Sequence, residues 1–446
     1  MAGGTFDTQN KVRAGVYIRF KSAPQTSFAV GTRGTVAICE PLSWGPEAVV
    51  TEVDASTDLT NITGYALSDP HNRFLQEMFK GTNRTTGPAK VLLYRPTAGS
   101  WAKATGSAGN LSITAKCYGA RGNDIVVVIT AIVGTDDFRV DTVVDGIVVD
   151  SQVSATVGGL TANDWVAWSG TASAALAANT GVTLAGGLDG TVTASAYAAF
   201  LTAIEAYHFD ILCYDGSDSD TLAAMQSFIE RIAAENGQYA QLVAANMTAP
   251  DSRFVINVCS GVKLEDGTDL TAAQTCWWVA GAQAGARYNE SLTYAQYPGA
   301  VSVSPVLTNA QYIAGINAGQ LLLFADADGV KVESDIDSLT TYNTDISKVF
   351  AKNRVMRLCN QIANDIFAEF SRNYIGIVNN NAVGRSRFKG AVVGYLLDIQ
   401  ANGGIQNFTS DDVEVLAGEW IDAVVITVAI QVVDAAEKIY LTVEVS

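Results

Sequence analysis

Histidine is almost missing from this 446-residue chain: only His71 and His208 occur. A Ser-His-Asp or Cys-His centre would have to rest on one of those two. The sequences GxSxG, HExxH, GxxxxGK[ST] and a strand-coupled GxGxxG are absent. His208, in AYHFDI, stands where a helical pattern passes into a strand, and His71, in SDPHNRF, where a short helix starts; both read as junction residues rather than bases. The six cysteines, Cys39, Cys117, Cys213, Cys259, Cys276 and Cys359, form no CxxC pair and have no histidine at metal spacing. That pattern argues against a zinc site or a dense disulfide framework and predicts reduced, mostly buried thiols.

Basic charge is also scarce, with 28 Lys and Arg against 45 Asp and Glu, a formal net charge of -17. Affinity for nucleic acid is supplied mainly by Lys and Arg, so a phosphate-backbone binder is disfavoured. No apolar run is long enough for a membrane span: the longest, around Val424 to Val433, is interrupted by Gln431. The opening MAGGTFDTQN lacks the basic and apolar regions of a signal peptide, which predicts a protein made and kept in the cytosol. Apolar residues make up 48% of the chain and charged ones 16%, the balance of an ordered protein with much covered surface.

Three polar clusters invite a functional reading. Asp215, Asp218 and Asp220 follow the strand-like FDILCY, where α/β folds place ligands or metals; the alternative is that Ser219 or Asp220 caps the next helix while the other carboxylates are solvated. Asp326, Asp328 and Gly329 echo a calcium loop without its remaining ligands, and read better as a turn. Gly31, Thr32, Arg33 and Gly34 have the composition of an anion cradle or of a tight turn. None amounts to a catalytic constellation, and no cofactor or metal is expected.

What the chain does have is clean strand patterning at both ends. Val12, Ala14, Val16, Ile18 and Phe20 alternate with Lys11, Arg13, Gly15, Tyr17 and Arg19; at the far end Ile439, Leu441, Val443 and Val445 alternate with Lys438, Tyr440, Thr442, Glu444 and Ser446. A period of two marks half-buried strands, and neither has a partner nearby in sequence. Each is expected to complete a sheet, either elsewhere in the chain or in another subunit. Lys11, Arg13 and Arg19 on one arm and Glu437 and Glu444 near the other would bias the pairing.

Between the arms the texture changes twice. KVLLYR at 90 to 95 is a buried strand; residues 99–189 are rich in Gly, Thr, Val and Ser, with strand runs LSITAKCY, DIVVVITAIV and TVVDGIVVD, and read as an inserted all-β unit. From Ser195 helices and strands alternate: AYAAFLTAIEAY, FDILCY, TLAAMQSFIERIAAE, YAQLVAAN, RFVINV and TAAQTCWWVAGAQAGARY. That order predicts a layered α/β core with parallel pairing. Ile346 to Tyr374 carries the longest helical pattern, with Val355, Cys359, Ile362, Ile366 and Phe370 on one stripe and Arg354, Arg357, Gln361, Asp365 and Arg372 opposite. Residues 348–389 hold eight basic residues against two acidic ones, a local positive patch in an acidic chain.

Several separated strings then resemble one family in order along the chain. WWVAGAQAGARYNESLTY at 277 to 294, VESDIDSLTTY ending at Tyr342, FAKNRVMRLCNQIANDI at 350 to 366, YIGIVNNNAVGR at 374 to 385 and VVDAAEKIYLTVEV at 432 to 445 resemble contractile tail sheath proteins of myophages, defective prophages and phage-tail-like bacteriocins, the Gram-positive type above all. VRAGVYIRF resembles that family's N-terminal arm, YGARGNDIVV its inserted domain, and GGLDGTVTASAYAAFLTAIE the return to its core. Ala14 departs from the proline often found in the arm.

The resemblance implies an α/β multidomain protein with a core that is subtilisin-like in shape only, an inserted β-sandwich and an α+β C-terminal domain. The expected boundaries are an arm over 1–22, a core over 23–98 and 190–345, the sandwich over 99–189, a tube-facing domain over 346–435 and an arm over 436–446. It implies a non-enzymatic subunit of hexameric rings stacked around an inner tail tube, strand-exchanged between copies, with baseplate and tail terminator proteins as further partners and no direct contact with nucleic acid or membrane. The rings would assemble in the host cytoplasm and end in a virion tail or phage-tail-like particle, contracting to drive the tube through an envelope. The expected intersubunit strands are Val12, Ala14, Val16, Tyr17, Ile18 and Phe20, and Ile439, Tyr440, Leu441, Val443 and Val445. Lys348, Lys352, Arg354 and Arg357 are expected to face the tube. A surface-layer or other filament-forming protein is the alternative.

Overall fold

The computed structural model describes residues 28–445 and, ahead of them, the backbone of two short strands, Ala2–Gly4 and Gly15–Tyr17. The chain forms two compact units. One comprises Gly31–Asp365 with the segment from Asp434 onward; the other is Ile366–Val433 with the described residues up to Val30.

The larger unit is organised by a seven-stranded sheet in the order Gln320–Leu321, Val255–Val258, Gln241–Ala245, Ile211–Cys213, Thr35–Cys39, Lys90–Tyr94, Val50–Val53. All neighbours are parallel except the last pair. Parallel strands need both faces covered, and their sequences accordingly read as continuous apolar runs such as TVAIC and QLVAA. Val36, Ile38, Val91, Leu93, Ile211 and Val243 point into one apolar core; Ala37, Leu92, Leu212, Leu242 and Ala244 point into another on the opposite side. Helix α1 (Arg73–Phe79) packs in the first core, while α2 (Ala194–Ile204) and α3 (Ser219–Arg231) pack in the second.

Helix α4 (Ala272–Gly285) is buried on nearly every side in the first core. Its start is fixed by a capping box between Thr271 and Gln274. It lies so close to α1 that a Cβ at Gly281 would come within 2.0 Å of the Met78 carbonyl oxygen. Trp278, fully buried, stacks on Tyr297 at 4.1 Å and donates its indole N–H to the Gly81 carbonyl at 2.7 Å. Truncating a tryptophan so placed costs about 3–5 kcal/mol, a large share of the about 5–15 kcal/mol that stabilises a typical domain. Helix α5 (Asn309–Asn317) is more exposed and carries a second capping box, Thr308 with Gln311.

Residues between Gly99 and Thr191 leave and rejoin this unit through one ladder. Gly99 and Thr191 exchange backbone hydrogen bonds of 2.9 and 3.0 Å, and Ala102–Leu188 and Thr105–Ala185 continue it. Beyond it stand a four-stranded antiparallel sheet (Ile147–Ser154, Phe138–Val144, Ile125–Ala131, Val182–Thr183) and a three-stranded one (Val166–Ser169, Leu111–Ala115, Thr105–Ala108) around a common core. The run read as the single strand TVVDGIVVD is a hairpin. Asp145 (φ 52°) and Gly146 (φ 78°) both adopt left-handed backbone, the requirement of the tight two-residue turn that Asp-Gly supplies. Trp44 of the sheet-bearing part stacks on Trp165 of the insert at 4.8 Å, so the insert shares core with its base.

Helix α6 (Asn353–Asn373) contributes to both units, and α7 (Ala382–Ala401) belongs to the smaller. In the smaller unit Phe370, Tyr374 and Phe388 cluster with ring centroids 4.9–5.3 Å apart, Phe28 stacks on Tyr395 at 4.6 Å, and Asn381 caps α7 by accepting from the Gly384 amide at 2.9 Å. Two two-stranded ribbons complete it, Val413–Ala417 with Val424–Val428 and Ile405–Gln406 with Gln431–Val432.

The stripe read on α6 is a correction. Val355 is buried, but Cys359, Ile362, Ile366 and Phe370 are only half-buried, whereas Asn353, Arg357, Asn360, Gln361 and Asp365 are buried. Polar side chains bond into the fold from the side that hydropathy assigns to solvent. Asp365, for instance, accepts from the Gly31 amide at 3.0 Å and from Gln361 at 2.8 Å.

Candidate assembly surfaces

The enzyme-like clusters resolve into structural bonds. Asp218, one residue ahead of the expected caps Ser219 and Asp220, caps α3: it accepts from the Thr221 amide at 2.8 Å and the Thr221 hydroxyl at 2.6 Å. These bonds hold its carboxyl below the usual range. Lys331 lies 2.8 Å from Asp326 and 3.0 Å from Asp328, so the turn brings its own cation. The glycine-rich segment does cradle an anion, and the anion is internal: Asp210 Oδ2 accepts from the Gly34 and Thr35 amides at 2.8 and 3.0 Å, with Arg33 3.7 Å from its other oxygen. His71 is exposed, hydrogen-bonded to Asp69 at 2.8 Å and stacked on Tyr65; His208 is exposed. All six cysteines are free, and burial pushes Cys259 and Cys359 up to about 11. Among the described residues no group of His, Cys, Asp and Glu is placed to hold a metal ion, and no helix is long and apolar enough to cross a membrane.

The residues expected to build assemblies fall in three places. Of the N-terminal set, Val16 and Tyr17 lie in Gly15–Tyr17, which pairs in parallel with Ala2–Gly4 in the register Gly3 to Val16 and Gly4 to Tyr17. Val12, Ala14, Ile18 and Phe20 lie outside the described residues. At the other end, Ile439, Tyr440, Leu441, Val443 and Val445 lie in no strand of the chain itself, and each is 72–93% exposed. Exposing four aliphatic side chains and a tyrosine in seven residues forgoes about 1.5–3 kcal/mol for each aliphatic one that burial would recover.

The root of this segment is anchored. Glu437 is hydrogen-bonded to Lys352 and accepts from the Thr293 hydroxyl at 2.7 Å, so it is committed within its own chain rather than to another arm. Beside it runs a groove of about 700 Å³ whose lining includes Arg84, Tyr294, Tyr342, Lys348, Lys352 and Ile439.

The basic set is divided. Lys348 is exposed and Lys352 is occupied by Glu437. Arg354 is half-buried; burial lowers its hold on the proton and the Asp434 carboxylate opposes that. Arg357 is a correction: it is 0% exposed, paired with Asp335 at 2.7 Å, and donates to Gln283 and to the Glu290 carbonyl. A guanidinium so enclosed is not a surface for a tube. Sequence reasoning missed this network: Asp335 and Gln283 lie in separate stretches, VESDID and WWVAGAQAG, and only the fold brings them to Arg357.

Residues 190–338 match the family described as phage tail sheath protein central domain, and residues 345–446 that described as phage tail sheath C-terminal domain. Over the whole of both chains the sequence is 36% identical to the phage-like element PBSX protein XkdK of Bacillus subtilis strain 168. The chain belongs to the phage tail sheath family. A sheath tail protein from Desulfitobacterium hafniense, solved by crystallography, is 41% identical, with a TM-score of 0.86 over 96% of this chain and 99% of that one. The sheath tail protein Lin1278 from Listeria innocua is 32% identical, with a TM-score of 0.77 over 94% and 96%. The contracted helical sheath of the anti-feeding prophage shares the fold, at 15% identity and a TM-score of 0.59. This sheath-family chain is therefore a mixed α/β multidomain structural component of a virion tail or phage-tail-like particle, and its family is not an enzyme family.

Proposed function

We propose that this chain polymerises as hexameric rings stacked helically around an inner tail tube, and that the stack contracts to drive the tube through a target envelope. The observation that carries the reading is the C-terminal segment: an alternating strand sequence, held at Glu437 and exposed along Ile439 to Val445. Alternation specifies a half-buried strand, and a sheet edge of another chain would supply the partner that the described residues of this chain do not. The two-stranded ribbons of the smaller unit are the acceptors in this reading, since an isolated pair of strands is marginal and gains from a further strand. The alternating sequence Val12 to Phe20 is assigned the same role, with Gly15–Tyr17 already paired on one edge to Ala2–Gly4 of its own chain.

The layered parallel sheet is the subtilisin-like core of this reading and the two antiparallel sheets are its inserted β-sandwich. Contraction is a switch between two packings of largely rigid subunits released from a kinetic trap, without nucleotide. Assembly takes place in the host cytoplasm, with the inner tube, a baseplate and a tail terminator as partners; related chains occur in the anti-feeding prophage baseplate and in a contracted extracellular injection system. For the tube-facing residues we retain Lys348, Lys352 and Arg354 of the larger unit, led by the exposed Lys348, name the exposed Arg372 and Arg387 of the smaller unit as separate candidates, and drop Arg357 because it is buried. Negative-stain microscopy of the concentrated protein tests the proposal. Hollow striated tubes are expected, and monodisperse particles under all conditions that assemble a known sheath would overturn it.

A further inference from the structure

Buried arginines in the larger unit are hydrogen-bonded, with one exception. Arg95 donates to the carbonyls of Leu42, Gly45 and Tyr118, and Arg121 to the Gly64 carbonyl, Asp124 and Asp145. Arg357 donates to Gln283, Asp335 and the Glu290 carbonyl. The Arg33 side chain is nearly as enclosed, at 9% exposure, yet it makes no hydrogen bond among the described residues. Its Nε is buried without a partner, and its approach to Asp210 spans 3.7 Å, beyond hydrogen-bond reach. Asp210 spends its other oxygen on the Gly34 and Thr35 amides.

Arg33 lines a pocket of about 350 Å³ with Thr32, Thr35, Glu52, Asp54 and Lys90. The pocket stands at the start of two adjacent parallel strands, where Thr35 and Lys90 are register partners. Its acids already have donors of their own: Glu52 is 3.1 Å from Lys90, and Asp54 accepts from the Ser56 amide at 2.8 Å and the Ser56 hydroxyl at 2.7 Å. What is left over is a guanidinium that has lost water and gained no acceptor, beside two threonine hydroxyls. We propose that this pocket binds one carboxylate, with Arg33 as its anchor. The guanidinium fork matches the two oxygens of a carboxylate, and a phosphate dianion would be repelled more strongly by Glu52, Asp54 and Asp210. The carboxylate is either a small free anion or an acidic side chain of a second copy, in a chain that carries 45 Asp and Glu.

The test uses the full chain, unassembled, at neutral pH with sodium acetate as the probe. Replacing chloride by acetate at fixed ionic strength should raise the folding constant measured by urea unfolding. The gain should be about elevenfold when acetate stands at ten times its dissociation constant. Arg33→Gln and Arg33→Lys should lose or greatly reduce the response; Thr32→Ala, at an exposed position on the pocket wall, should weaken it and serves if neither Arg33 variant folds. Carbodiimide cross-linking of mixed-isotope Arg33→Lys polymers then separates the sources, and this arm alone rests on the proposed self-assembly. A link from position 33 to an acid of another copy assigns the pocket to a second copy's side chain, and links confined to one chain assign it to a free carboxylate. A parental folding constant indifferent to acetate, or an acetate response retained in full by the folded variants, would overturn the proposal.

Discussion

Arg357 Nη2 lies 2.7 Å from Asp335 Oδ2 with both side chains sealed from solvent, at 0% and 1% exposure. Asp335 also accepts from Gln283 at 2.8 Å, Asn353 at 3.0 Å and the Leu292 amide at 2.9 Å, so one carboxylate ties α4, α6 and two loops. Removing one member of a buried ion pair strands the other charge, which costs about 3–5 kcal/mol. Arg357→Met should therefore lower the urea midpoint by a large fraction of total stability, in the unassembled subunit and with no tube present. A near-parental midpoint would show that Asp335 is satisfied by its neutral partners alone.

Much of the fold was legible because periodicity reports burial where burial is apolar. The alternation of FDILCY, YAQLVAAN and RFVINV with helical runs led to the parallel sheet, and the Gly- and Val-rich texture of 99–189 to separate antiparallel sheets. Periodicity failed on α6, where the buried side carries Asn353, Arg357, Asn360 and Gln361: hydropathy scores the residue and not its bonds. It also could not distinguish Asp218 from Ser219 as the cap, since all three polar residues there can accept from a helix N–H. The C-terminal alternation stands out in the sequence, and among the described residues Ile439 to Val445 lie in no strand and keep their side chains exposed.

Acid should act on a different loop. Asp251 accepts from the Thr340 and Thr341 amides at 2.7 and 2.9 Å, and those bonds with the threonine hydroxyls hold its carboxyl at about 2. Its folded value is depressed, so its stabilisation is complete above the unfolded value near 4 and disappears as pH falls toward 2. The Thr340 and Thr341 amides should gain hydrogen-exchange rate as the pH is lowered through that window, beyond the intrinsic pH effect. Asp251→Asn should abolish the excess; an unchanged profile in the variant would assign the effect to another group.

Excision of 99–189 has a cost that the shared ladder does not show. The ends meet at Gly99 and Thr191, so a short linker can close the gap. However, Arg95 donates to the Tyr118 carbonyl at 2.7 Å and Trp44 stacks on Trp165, contacts that excision removes. The excised chain should fold with a reduced melting temperature, and replacing Trp44 by Thr should restore solubility rather than stability. Aggregation of both versions would mean that the base depends on the insert to fold.

Truncation should separate folding from assembly at one residue. A chain ending at Glu437 keeps the bonds to Lys352 and Thr293, and the described side chains it loses, Lys438 to Val445, are exposed. Its melting temperature should match the full chain within a few degrees, while tubes should be absent from micrographs. Ending the chain at Ala435 instead should also destabilise, because Lys352 and Thr293 lose their partner. Tubes formed by the shorter chains would remove the C-terminal strand from the assembly interface.

The tube-facing assignment now rests on residues that the fold leaves free to meet a partner. Lys348, Arg372 and Arg387 are exposed, whereas Arg357 is spent internally, so charge reversal divides them cleanly. Lys348→Glu, Arg372→Glu and Arg387→Glu, made singly, should each leave the urea midpoint within about 0.5 kcal/mol of the parent, as substitutions of exposed residues do. Sheath polymers should still form without tube, since the proposed strand exchange does not involve these side chains. Co-sedimentation with purified tube should weaken for the variants that face it, and parental binding should fall as salt rises, because exposed charges are screened beyond about 10 Å at 0.1 M. Arg357→Glu should instead disrupt the fold, because it places a second carboxylate beside the buried Asp335, so loss of assembly in that variant would not report on tube contact. If all three exposed reversals sheathe tubes as well as the parent, and binding ignores salt, the tube meets a different and uncharged surface of the chain.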